Sequence, residues 1–334
     1  MPVQKSNRPT LRTISELSGF AVPTVSRALK GAPDIGKSTQ ETVQRIARDI
    51  GYVPNRAGVR LKTGKTNVIA LVLSTEHDML NHTGRLISAF AGKLRETNYH
   101  VIVTPYFPDE DPMIPVTYVV ETGSADAVIL NQTQPEDVRV RYLMDQNFPF
   151  ATHGRTKWSH LHPYFDFDNS KYGSYSVERL HQRGRKNLLL IAPPPGQTYA
   201  RYMIEGSLEM ADTLGIKMKL LESATSDDPS DVVRAAVEAH MTDETSVDGI
   251  VCGSTTAAMA AVAAVEDFDF KVGRDVDIVA KEAEEFLSLF RPDILSFREN
   301  VSRAAEFLAE AAIQAINQPD LPPLQELDFP KLIA

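Results

Sequence analysis

The sequence contains a single cysteine, Cys252, among 334 residues. No intrachain disulfide can form, which fits a reducing compartment. Long apolar runs are also missing. The longest, AAMAAVAAV at 257–265, is far short of the ~18 residues that suggest a membrane span. The first residues lack the apolar core of a signal peptide, so the expected location is cytoplasmic, with no membrane partner. No internal repeat or low-complexity tract occurs. No nucleophile, base and orienting residue form a recognisable catalytic motif, so the chain is read as a non-enzyme with no cofactor.

Positive charge is scarce overall, with a net of −9, yet it is concentrated at one end. Residues 1–66 hold twelve Lys/Arg against four Asp/Glu, a net of +8, while the remaining 268 hold twenty-three against forty, a net of −17. A short basic head on a long acidic body is the charge footprint of a protein whose head meets phosphate. The acidic body keeps the rest of the chain off the polyanion.

The head reads as three short helices. Thr10 can cap the first, in which Leu11, Ile14 and Leu17 recur every third residue. Gly19 then permits a tight turn. The second covers about 22–29, with Val25, Ala28 and Leu29 facing inward. In the third, Ser38 and Glu41 are spaced as a capping box. Val43, Ile46, Ala47 and Ile50 form its apolar stripe, and Gly51 is its expected stop. Two helices joined by a short Gly-containing turn make a helix-turn-helix, which lays its second helix in the major groove of duplex DNA. The residues predicted to face DNA are Val22, Pro23, Thr24, Ser26 and Arg27, with the cap residue Thr10 counted beside them. Arg27 can donate to phosphate or a guanine edge, and Val22 can touch a thymine methyl. Pro23 is tolerated because it falls in a helix's first turn.

Residues 52–66, YVPNRAGVRLKTGKT, form a basic linker. Beyond it, strand-like apolar runs appear at 68–73, 101–104, 127–130, 188–192, 249–252 and 276–280. Between most of them lie stretches of helical spacing, such as 84–96 and 170–182. Strands alternating with helices predict parallel sheets. Continuous apolar strands predict sheets covered on both faces. The 268 residues after the linker suit two lobes.

The segment TVSRALKG at 24–31, the capped third helix and GYVPNRAGVRL at 51–61 together resemble the LacI/GalR family of bacterial regulators. The resemblance covers essentially the whole chain. It implies a small all-α helix-turn-helix head (1–53), a hinge (54–66) and an effector-binding and dimerisation domain (67–334). That domain is expected to be an α/β, two-lobed, periplasmic-binding-protein-like (type I) fold with parallel sheets. The chain is expected to cross between lobes near 180–186 and 293–298. In that family the hinge becomes a short helix on the operator, and a pair of leucines, one per subunit, wedges into the minor groove and bends the duplex. The matching leucine is Leu61, with Asn55 and Arg56 at the start of the hinge. Two departures stand out. Ala21 replaces the usual capping Ser, and Gly58 sits where Ala is common, weakening the hinge helix by about 1 kcal/mol. Residues 58–66, GVRLKTGKT, imitate a phosphate-binding loop but have five residues between glycines where that motif needs four.

Ligands of such sheets bind at the carboxyl ends of strands. The effector-binding candidates are therefore Ser74, Thr75, His153, Arg155, Asp168, Ser254, Thr255 and Glu282, with Tyr199 to stack on a sugar face and Arg201 as the nearest arginine to a family position held here by Met203. Glu282 matches a ligand-binding Asp of the family, and Asp168-Asn169 matches a pair opening a helix beside the cleft. Gly253-Ser254 replaces the usual Asn-Asp. His160 and His162 with His153 lack a cysteine partner, and no metal is expected. The resemblance implies a homodimeric or larger repressor that reads a pseudo-palindromic operator in double-stranded DNA, controlled allosterically by a small molecule, a sugar or sugar derivative being the default. The rivals are a transport binding protein, opposed by the basic head, and an enzyme with a regulatory head, opposed by the missing catalytic motif.

Overall fold

The computed structural model describes residues 9–53, 60, 64–74, 82–107, 109–241, 247–283 and 285–333. They fall into two compact units, Met1–Thr66 and Asn67–Ala334.

The first unit contains α1 (Leu11–Ser18), α2 (Val22–Leu29) and α3 (Lys37–Asp49). Ile14, Val25, Ala28, Val43 and Ala47 form its core. Thr10 caps α1 reciprocally with Thr13: the Thr13 N–H donates to Thr10 Oγ1 at 3.3 Å and the Thr10 N–H to Thr13 Oγ1 at 3.1 Å. Gly19 ends α1 in the left-handed region, φ 73°, where only glycine sits without a steric cost. Its N–H reaches the Ser15 carbonyl, and Ser15 Oγ donates to the Phe20 carbonyl at 2.6 Å. The turn into α2 is thus fixed locally. Thr10→Ala removes the cap and is expected to destabilise α1 by about 0.5–2 kcal/mol. Faster amide exchange confined to α1, measured without DNA, checks this.

One detail of the head differs from expectation. The third helix starts at Lys37, with Gly36 as its cap residue and no side-chain cap. Ser38 therefore lies inside the first turn, and its carbonyl accepts from Thr42 Oγ1 at 2.9 Å. Of the three apolar positions that recur along α1, Ile14 is buried and Leu17 is 59% exposed.

The second unit holds two six-stranded sheets. The first sheet has the order β11-β5-β4-β3-β1-β2, built from β1 (Val68–Ser74), β2 (His100–Tyr106), β3 (Ala127–Leu130), β4 (Phe150–His153), β5 (Tyr164–Phe167) and β11 (Gln325–Asp328). The second has the order β12-β10-β9-β8-β6-β7, built from β6 (Asn187–Ile191), β7 (Lys217–Leu220), β8 (Gly249–Cys252), β9 (Asp277–Glu282), β10 (Leu295–Arg298) and β12 (Lys331–Leu332). All pairings are parallel except β10 with β12. The flanking helices are α4 (His82–Leu94), α5 (Met113–Thr122), α6 (Val138–Asp145), α7 (Asn169–Gln182), α8 (Thr198–Leu214), α9 (Ser230–Glu238), α10 (Thr255–Asp267), α11 (Leu287–Phe290) and α12 (Val301–Asn317). Central strands are buried on both faces, as their continuous apolar runs predict. The edge strand β2 is the exception, with Ile102 38% and Val103 42% exposed.

The chain crosses between sheets three times. The first crossing is at 167–169, earlier than the 180–186 expected, because α7 belongs to the second lobe: Tyr172, Val177 and Leu180 join the core around Leu188, Leu190 and Val251. The second is at 298–301, after which α12 buries Ala304, Ala305 and Leu308 beside Ile69, Leu71 and Phe90 of the first lobe. The third, between β11 and β12, was not foreseen. Helices α7 and α8 approach closely through glycines. A Cβ on Gly173 would stand 2.6 Å from the Met203 carbonyl oxygen, and one on Gly206 would meet the Ser170 backbone. Backbone on the far side cannot move aside, so these positions must stay glycine.

Candidate functional site

The first candidate surface is the second helix of the head. Val22, Pro23 and Arg27 are exposed, and Thr24 and Ser26 are half-buried. Val25 and Ala28 face the core, so α2 is held by one side and presents the other. Ala21 supplies no side-chain cap, leaving the first-turn N–H groups of α2 open to an anion. Arg27 pairs with Asp34 at the surface. Asn55, Arg56 and Leu61, together with Gly58, lie outside the described residues.

The second is a cavity of about 550 Å³ between the two lobes, within the range of small-molecule sites. Strand ends of the first lobe supply Ser74, Asn131, Gln132, His153 and Asp166, and α4 supplies His82. The second lobe supplies Tyr199, Asp227, Ser254, Thr255 and Lys281. Asn169 and Glu299 enter from the first and second crossings. Phe167, Met259 and Phe286 add apolar surface. Clustering at the carboxyl ends of parallel strands follows from topology, because each strand there hands over to a loop that points into the cleft.

The floor is an ionic chain spanning both lobes. Glu299 accepts from His82 Nε2 at 3.3 Å and pairs with Lys281 Nζ at 3.4 Å. Lys281 Nζ also donates to Asn169 Oδ1 at 3.1 Å and lies over the rings of Phe167 and Tyr199, 5.6 and 5.4 Å from their centroids. Burial alone would raise the Glu299 carboxyl, but Lys281 and His82 outweigh it and hold it well below the usual glutamate range. His153 stacks on His82 with ring centroids 5.2 Å apart. Burial, reinforced by His82, pushes its pKa down to about 3, so His153 is neutral. Asp166 is pushed up to about 6 by burial, against the pull of Arg155. The ligating atoms of His82, His153 and Glu299 lie within 4.8 Å of one another. Lys281 beside Glu299 places a fixed positive charge there and opposes a metal ion.

Local hydrogen bonds aim the other polar groups. Ser254 caps α10, accepting from the Ala257 N–H at 3.1 Å and donating to the Ser226 carbonyl at 2.9 Å. Thr255 Oγ1 donates to the Lys281 carbonyl at 3.2 Å. Asp227 accepts from Ser226 Oγ at 2.8 Å and from Tyr199 at 3.5 Å, and burial raises its pKa. Arg139, buried and paired with Asp137 at 2.7 Å, donates to the Asn131 and Gln132 carbonyls and fixes the end of β3.

Of the effector candidates named from sequence, Ser74, His153, Tyr199, Ser254 and Thr255 line the cavity. Thr75 lies outside the described residues. Four others are placed elsewhere. Arg155 turns away to pair with Asp166 at 2.7 Å and stack on Tyr202. Asp168 caps α7 by accepting from the Lys171 N–H. Arg201 is exposed and pairs with Glu205 one turn on. Glu282 follows Lys281 in β9, and successive strand residues point to opposite faces. Its carboxylate is buried and accepts the Leu287 N–H at 2.7 Å. His162 is a buried structural histidine, bonded to Thr156 and to the Pro163 carbonyl, while His160 is exposed.

Sequence reasoning missed His82, Asn131, Gln132, Asp166, Asn169, Asp227, Lys281 and Glu299. Asn131 directly follows the run AVIL, so the strand-end rule applied to β3 would have found it. Asp227 follows no apolar run and left no such signal.

Known proteins resemble this architecture along its length. Residues 177–334 match the periplasmic binding protein-like domain family. The HTH-type transcriptional regulator AglR of Rhizobium meliloti (strain 1021) is 28% identical over 97% of this chain and 92% of its own length. This full-length likeness to an HTH-type transcriptional regulator agrees with the LacI/GalR resemblance carried by the sequence. The HTH-type transcriptional regulator RafR of Escherichia coli is 33% identical over 64% of this chain and 63% of its own length. The lac repressor dimer bound to operator and the anti-inducer ONPF shares the fold with this chain at a TM-score of 0.86, with 17% identity and 98% of each chain covered. The complex of the regulator CelR with cellobiose shares it at 0.72, with 21% identity over 98% of this chain and 99% of that one.

Proposed function

We propose that this protein is a transcriptional repressor that binds a pseudo-palindromic operator as a homodimer and is controlled by a sugar held between the lobes of its second unit. The observation that carries the reading is the joining, in one chain, of a helix-turn-helix unit of net charge +8 to a two-lobed domain of net charge −17 with a polar, aromatic-bearing cleft. The proposed DNA contacts are Thr10, Val22, Pro23, Thr24, Ser26 and Arg27, with Asn55, Arg56 and the wedge Leu61 from the hinge. Phosphate contacts position the head and base edges in the major groove give sequence preference. Two structural relatives, the lac repressor bound to operator and CelR bound to cellobiose, support the two halves of the reading.

The homodimer is supported by exposed apolar side chains. Ile102 and Val103 on β2, Phe107 after it, and Ile114 and Tyr118 on α5 are 38–60% exposed. Leu289 and Phe290 form a second group, 70–73% exposed. Contiguous exposed apolar groups of this kind mark association surfaces. Among the described residues no helix is long and apolar enough to cross a membrane. The function is binding and signalling, with no catalysis required.

Operator binding should weaken steeply with salt. Each phosphate neutralised lowers the slope of log affinity against log salt by about 0.9, so two heads making 6–10 contacts lose roughly 10³–10⁵ in affinity between 50 and 200 mM salt. Fluorescence anisotropy on duplexes from the flanking genomic region measures the slope. A flat salt response contradicts the reading.

A further inference from the structure

We infer that the cleft takes an uncharged, polyhydroxylated glycoside and rejects phosphorylated and carboxylated sugars, with Asp227 and Asn131 as the residues that set this choice. The inference rests on the sugar reading above and narrows it to a class.

The cleft is rich in acceptors and acidic. Three carboxylates, of Asp166, Asp227 and Glu299, line it. Among the described lining residues the only lysine or arginine is Lys281. Its ammonium is already engaged by Glu299 at 3.4 Å and Asn169 at 3.1 Å. His153, pushed down to about 3, is neutral and offers no compensating charge. Asp166 and Glu299 are already paired, with Arg155 and with Lys281 and His82, so a phosphate or carboxylate entering here would find no free cation among the described lining residues and would meet the Asp227 carboxylate at short range. No unengaged bidentate donor faces it, because Arg155 is committed to Asp166 at 2.7 Å outside the lining.

The acceptors point to what the ligand must bring. Asn131 is 8% exposed and lines the cavity, and its Oδ1 has no hydrogen-bond partner among the described residues. A buried acceptor left unpaired is costly, so a ligand that donates to it is favoured. Arg139 donates to the Asn131 backbone carbonyl at 3.1 Å and so fixes the backbone that carries this side chain. Across the cleft, the donors to Asp227 among the described residues are Ser226 and Tyr199, both on its own side. It retains acceptor capacity for hydroxyl groups, since a carboxylate can accept about four hydrogen bonds. Sugar hydroxyls are donors that carry no charge, and Phe286 offers an apolar face for the C–H side of a pyranose ring. A cationic amino sugar would satisfy the carboxylates but would face the Lys281 ammonium.

The test uses the full chain and neutral sugars beside anionic derivatives that keep both pyranose rings, maltose with maltose 6′-phosphate and cellobiose with cellobiouronic acid, with raffinose and melibiose as further neutral members. Thermal shift screens the panel, and calorimetric titration gives affinities. The expected result is that at least one neutral glycoside binds and its charged counterpart binds at least tenfold more weakly. In Asp227→Asn, which keeps shape and removes one charge, the neutral ligand should weaken by roughly tenfold or more. The gap between neutral and anionic partners should narrow. Tighter binding of a phosphate, an acid or an amino sugar than of its neutral parent overturns the inference while leaving the sugar reading intact. Binding of no sugar of either kind overturns both. An unchanged gap in Asp227→Asn, with a normal melting curve, removes Asp227 from the role.

Discussion

Removing residues 1–66 should abolish specific operator binding while leaving ligand binding in the cleft unchanged. The head carries the net +8, and the remainder, at −17, is repelled by phosphate. Specific binding in such regulators exceeds non-specific binding by roughly 10³–10⁷, and both terms vanish when the basic head is lost. The second unit, Asn67–Ala334, has its own cores and sheets, so it should melt cooperatively and bind ligand as before. Anisotropy titration of the shortened chain against operator duplexes, beside calorimetry with ligand, reads both effects. Retained operator affinity in the shortened chain would refute the assignment.

The second large effect is expected from Glu299. Its carboxylate, on the second crossing, joins Lys281 of the second lobe to His82 of the first. Side-chain exposure of the Lys281–Glu299 pair is 12% and 11%, and breaking a buried pair by removing one partner costs about 3–5 kcal/mol. Glu299→Ala leaves the Lys281 ammonium uncompensated between two aromatic rings. For a unit of this size each kcal/mol lowers Tm by roughly 2–4 °C, so the melting curve should fall by roughly 6–20 °C. Glu299→Gln, which keeps an acceptor for Lys281, should lose less. The pH dependence has a definite sign. The Glu299 carboxyl lies below its ordinary range in the folded protein, so its contribution is fully present above the unfolded value, about 4.3. It is lost as pH falls through the folded value. Asp166 works in the opposite direction. Its folded pKa is raised to about 6, so its effect favours folding below about 4 and fades as pH rises from there through about 6. Melting curves of wild type and Glu299→Ala from pH 3 to 8 separate the two. A gap between them that widens toward pH 3 would contradict the assignment.

The head and the first strands were legible because their signals are local. The spacing of Val25, Ala28, Val43 and Ala47 and the glycines at 19 and 51 place the helices without long-range contacts. The apolar runs that became β1, β3, β6, β8 and β9 stand out because they are buried on both faces. The short β7, β11 and β12 have no such run, and they form only because neighbouring strands offer an edge. The same division governs the cleft. Ser74, His153 and Ser254 lie at ends of recognisable strands and were found. Glu299 follows β10, a four-residue strand whose apolar pattern is too short to read, and its partners His82 and Lys281 are 217 and 18 positions away. Glu282 was misplaced by a single residue, which in a strand reverses the face. Asp227, which follows no apolar run, acquires meaning only when the two lobes oppose each other.

The account stands most directly on coupling between the cleft and DNA. Operator affinity of the full chain should be measured across a titration of a neutral glycoside that binds the cleft. Linkage requires a change of about 5–150-fold, and the operator must change glycoside affinity by the same factor. A glycoside that occupies the cleft with equal affinity in the presence and absence of operator would contradict the account.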